Sequence, residues 1–94
     1  MLNVKICSIQ YPERYVVRRM VLAAQSELQA KIPGLEVEIT ELADPGQIGK
    51  YAFVLVLPTL VIEEKVVCSG RFPGKEEVRD WLREAALIDA KKRA

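Results

Sequence analysis

The sequence predicts an α/β domain with a four-stranded mixed sheet and helices on both faces, in the order βαβ–α–ββ–α. Three observations carry this. Two alternating apolar runs, Leu2-Val4-Ile6 and Leu35-Val37-Ile39, flank a long segment with helical spacing. Two short β-branched runs follow, separated only by a polar break at Glu64-Lys65. A last segment returns to helical spacing.

The first strand is read from Leu2, Val4 and Ile6 alternating with Asn3 and Lys5. From about Pro12 to Lys31, Val17, Met20, Val21, Ala24 and Leu28 recur on one helical face, while Arg14, Arg18, Glu27 and Gln29 fall mostly elsewhere. Pro12 suits the first helical position, Glu13 suits the positive end of the dipole, and Pro33-Gly34 stops the helix. A strand, a helix and a strand in that order imply a parallel pair with a right-handed crossover. Asp44-Pro45 reads as a cap and a first-turn proline, giving a short helix over about 45 to 51.

Thr59–Glu63 and Val66–Cys68 form a hairpin of open turn type, because the usual Asn-Gly or Asp-Gly is missing. The last helix starts near Lys75 and buries Val78, Trp81, Leu82 and Ala85. One domain over residues 1–90 is expected, with 91–94 as a frayed basic tail.

Composition excludes several chemistries. Net charge is +1, so no global field attracts nucleic acid or acidic lipid. Arg18-Arg19 and Lys91-Lys92-Arg93 read as a solvated helix face and a tail. The chain has no histidine, which removes His-based metal sites and the Ser-His and Cys-His pairs. Two cysteines cannot supply a four-thiolate metal centre in one chain. No metal or cofactor is therefore expected. The longest apolar run, Ala52 to Leu57, is too short to cross a bilayer. Met1 leads directly into a strand pattern, and with only two cysteines a cytoplasmic protein is expected.

Three segments carry a family resemblance: VKICSIQYPER at the first strand–helix junction, LPTLVIEEKVVCSG in the middle, and GKEEVRDWL near the end. Together the chain resembles a small thioredoxin- or glutaredoxin-like domain over nearly its whole length. In that family a Cys-x-x-Cys sits where the first strand meets the first helix, and the helix start stabilises the first thiolate. Laid on this chain, the resemblance puts those two positions at Tyr11 and Arg14, with Pro12-Glu13 between. Dithiol exchange needs a thiolate and a resolving thiol. Neither position holds a cysteine, so this departure from the family's motif makes a redox-inactive, non-catalytic protein the expectation.

Leu57-Pro58 resembles the family's cis-proline, which faces the motif and shapes a groove for an extended peptide. The expected function is a binding or assembly module for a protein or peptide partner, using Tyr11, Pro12, Arg14, Leu57 and Pro58. The apolar run FVLVL just before Pro58 is expected either as a binding surface or homodimer contact, or as an extra buried strand. One alternative function is a monothiol redox protein acting through Cys7. Another is a regulatory interaction protein similar to the cyanobacterial clock proteins of the KaiB type. Cys7 and Cys68 otherwise read as small buried hydrophobes on strands separated by a third.

Overall fold

A computed structural model describes residues 1–51 and 58–93. Its elements are β1 (Leu2–Cys7), α1 (Tyr11–Gln29), β2 (Val37–Leu42), α2 (Pro45–Ile48), β3 (Thr59–Ile62), β4 (Lys65–Ser69) and α3 (Lys75–Arg93). The sheet order is β2-β1-β3-β4. β1 and β2 are parallel, with Leu2 opposite Val37 and Cys7 opposite Leu42. β3 runs antiparallel to both β1 and β4. The expected mixed sheet is thus present.

Alternation along β1 decides which face each side chain serves. Leu2, Val4 and Ile6 join Leu60, Ile62 and Cys68 under Val17, Val21, Ala24 and Leu28 of α1 and Val78 and Leu82 of α3. Cys7 and Val61 point to the other face and bury against Ile48 of α2. Helices therefore cover both faces, the two long ones together and the short one alone. Trp81 and Ala85 pack on the main core but are only partly buried.

Several boundaries move. α2 ends at Ile48 rather than 51, with Gly49 as its C-cap and a turn through Tyr51. Glycine at the end of so short a helix offers nothing to extend it. α3 keeps helical geometry through Arg93, past the residue-90 boundary expected from the sequence. Lysine and arginine are good helix formers and suit the negative end of the dipole.

The hairpin turn sits at Glu63-Glu64, one residue earlier than the polar break suggested, with Ile62 opposite Lys65. Both glutamates have positive φ, 52° and 64°. Two consecutive residues in the left-handed region are the signature of a type I′ turn, whose twist matches that of the strands. A register shift between Leu60 and Val61 leaves Val67 as the extra residue of a bulge in β4. The FVLVL run and Leu57, and with them the cis Leu57-Pro58 bond, lie outside the described residues.

Candidate functional site

β1 ends at Cys7, and the chain passes through Ser8, Ile9 and Gln10 into α1. Gln10 caps the helix in extended geometry without a side-chain cap bond, so Tyr11 is the first helical residue and Pro12 the second. The expected first position for Pro12 moves by one. Its missing N–H is still one that a helix start leaves unpaired.

Ser8 organises the junction from a fully buried position. Its hydroxyl donates to Glu13 at 2.5 Å and accepts from the Gln10 N–H at 3.1 Å. Glu13 also lies in the first turn, where the dipole favours an anion. Arg14 donates from Nη1 to the Ser8 carbonyl at 2.9 Å and from Nε to Glu41 at 3.3 Å. Arg18 reaches the other Glu41 oxygen at 3.0 Å. Glu41 lies on β2, so this network ties the start of α1 to the edge of the sheet.

The Arg14 side chain is accordingly only 14% exposed. Its guanidinium lies 5.6 Å from the centre of the Tyr11 ring, which stacks on Tyr15 with centroids 6.3 Å apart. Arg19 covers Tyr15 from 5.8 Å. Tyr11 itself is 63% exposed.

Pro58 is buried and its carbonyl accepts from Gly70 at 3.0 Å. The next residue, Thr59, stands opposite Cys7 on one side and Ser69 on the other. Pro58 therefore belongs to the same end of the sheet as the start of α1. The loop after β4 leaves from this end too, carrying the exposed Phe72. Ile9, Tyr11 and Tyr15 are exposed apolar side chains at the start of α1. Of the expected groove residues, Tyr11 and Pro12 face solvent, while Arg14 and Pro58 are largely covered.

Neither thiol opens onto this surface. Cys7 is completely buried in the α2-side cluster, and burial pushes its pKa up. Cys68 lies in the main core, its thiol pointing to the Arg71 carbonyl at 3.5 Å, and burial raises its pKa as well. Both are free, on opposite faces of the sheet and on strands separated by β3.

The Ser8–Glu13–Arg14–Glu41 network was not singled out in the sequence. The available signal was a serine and a glutamate bracketing the helix start. Its pairing with Glu41 depends on the parallel register of β1 and β2. No helix among the described residues is long and apolar enough to cross a membrane.

No curated protein matches the chain. The sequence model of one family, described as Thioredoxin domain, matches residues 16–83. That span begins just after Tyr11–Arg14 and takes in the rest of α1, the sheet from β2 onward and the first half of α3. With most of its length matched and with this sheet order, the chain belongs to the thioredoxin-domain family.

Proposed function

We propose that this protein is a thioredoxin-fold binding or assembly module without a dithiol centre. It uses the surface at the start of α1, formed by Tyr11 and Pro12 with Arg14 behind them, near the buried Pro58. The observation that carries the reading is the contrast at this end of the sheet. An exposed tyrosine, held by Tyr15 and Arg14, stands at the helix start, while both thiols are buried away from it. Exposed aromatics on a rigid element suit recognition, because they bring large area at low entropic cost. The occupant is an extended segment of a protein partner, laid beside the head of β3.

Burial of Cys7 weighs against the monothiol alternative, since the thiolate is the reactive form and burial disfavours it.

The test selects binders from a displayed peptide library and maps them by amide chemical shifts. Shifts should centre on residues 9–15 and on Thr59. Tyr11→Ala should cost about 2 kcal/mol of affinity, roughly thirtyfold, as for an aromatic hot spot. Binding that ignores Tyr11→Ala would remove the site. Disulfide reductase turnover abolished by Cys7→Ser would replace the proposal with the monothiol reading. Self-association as the dominant behaviour would favour the regulatory one.

A further inference from the structure

At the other end of the molecule, a groove of about 530 Å³ lies between the β3–β4 hairpin and the second half of α3. Its position follows from the register. β3 runs antiparallel to β1, so the turn at Glu63-Glu64 returns to Asn3, whose carbonyl accepts from the Glu63 N–H at 2.8 Å. The groove is therefore remote from Tyr11.

Its apolar part is made by Ile62, Val66 and Val67 from the hairpin and by Trp81, Ala85 and Ile88 from α3. Trp81 is partly buried, Val66 is 41% exposed and Ile88 is 49% exposed. Leu87 continues the exposed apolar surface along the helix. Around this floor stand Glu63, Glu64, Glu84 and Asp89, with Lys65 as the cation among the described lining residues. In a chain of net charge +1, that is a local concentration of negative charge.

The carboxylates are not all engaged alike. Glu64 is held by Lys5 and accepts from the Tyr51 hydroxyl at 2.7 Å. Among the described residues, Glu63 accepts from a neutral donor, the Asn3 N–H at 3.2 Å. Glu84 is exposed and makes no hydrogen bond or ion pair among the described residues.

The turn adds a second, independent observation. A two-residue turn with both φ values positive favours Asn-Gly, yet this chain places two glutamates there. A glutamate in the left-handed region is strained. Such strain tends to persist where it serves a site, and here it sets a negative charge at the rim of an apolar groove.

We propose that this groove docks a basic amphipathic segment of a protein partner. An apolar side chain of that segment seats against Trp81 and Ile88, and its lysines or arginines meet Glu63 and Glu84. The volume suits a few side chains rather than a whole helix face. A segment with Lys or Arg flanking a Leu, Ile or Phe fits both the floor and the rim, whereas an acidic one meets uncompensated repulsion.

The test uses Trp81, the chain's one tryptophan, as reporter. The probe is the amidated, acetylated octapeptide of sequence KLLKALKR, with ELLEALEE as its control. The basic peptide should change Trp81 fluorescence saturably, with affinity falling as salt rises. Glu84→Lys should weaken it several-fold, as should Ile88→Asp. Glu63→Asn should weaken it about two- to fivefold, the effect of one exposed charge, while leaving the melting temperature equal or higher, because asparagine tolerates positive φ. That pairing separates a lost contact from a damaged fold. Equal binding of the acidic control, or affinity unmoved by both Glu84→Lys and Glu63→Asn, would overturn the proposal. So would sedimentation showing that the groove is filled by a second copy of the chain, in a dimer that Glu84→Lys dissociates.

Discussion

A thiol reacts through its thiolate, and Cys7 is placed where that form is costly, between Ile48 and Val61 with no exposed surface. Labelling by a disulfide reagent at neutral pH should therefore be slow in the native state and rise steeply with denaturant, for Cys7 and Cys68 alike. Immediate native-state labelling of Cys7 would contradict its placement. A second residue-scale prediction concerns the start of α3. Glu77 accepts from Arg71 at 2.8 and 2.6 Å and from the Gly74 N–H at 3.1 Å, and these bonds lower its pKa to about 2. A carboxylate whose folded pKa lies below its unfolded value of 4.5 stabilises the fold fully above 4.5 and progressively less as pH falls toward about 2. Glu77→Gln should thus lower the melting temperature at pH 7, with the difference vanishing near pH 2. A gap constant across that range would mean that the pairing does not contribute through charge. Tyr11, Pro12 and Arg14 were legible as a helix start from the proline and the acidic first turn. Ser8 was not, because its importance comes from a carbonyl and a hydroxyl turned toward Arg14 and Glu13 by the bend after β1.

Elements were easier to read than their ends. Helical spacing of Val17, Val21, Ala24 and Leu28, and of Val78 and Leu82, identified both long helices, because one buried stripe suffices to define each. Those stripes face one another across the same side of the sheet, so Leu82→Ala should cost about 2–5 kcal/mol in a denaturant titration. A loss below 1 kcal/mol would mean that α3 is not seated as described. The hairpin turn was misplaced by one residue for a clear reason. Turn composition points to glycine and asparagine, and Glu63-Glu64 carries neither. Here pairing of Ile62 with Lys65 overrides local preference. Relieving that conflict with Glu63→Asn should stabilise the protein by about 0.5–1 kcal/mol, part of the 1–3 kcal/mol such a conformation costs. A destabilised Glu63→Asn would show that the positive φ is not strained. The short α2 ends earlier than its sequence suggests, because Gly49 alone marks its end after Asp44-Pro45.

On the scale of the whole molecule, strand order was legible because a crossover and a hairpin leave few ways to arrange four strands. That order also separates the two cysteines, which the strand positions alone already implied. The function is less legible, because a thioredoxin fold fixes a scaffold and not the chemistry placed on it. We propose that Tyr11 and Arg14 occupy the positions where the family carries its thiols. Residues three apart in a first helical turn have Cα atoms roughly 5 Å apart on an ideal helix, inside the range a disulfide tolerates. The decisive measurement is mass spectrometry of the Tyr11→Cys/Arg14→Cys double variant under mild oxidation, with folding checked by circular dichroism. The expected result is a reversible 11–14 disulfide and disulfide reductase activity above that of the parent chain. A folded variant whose two new thiols never pair would contradict it.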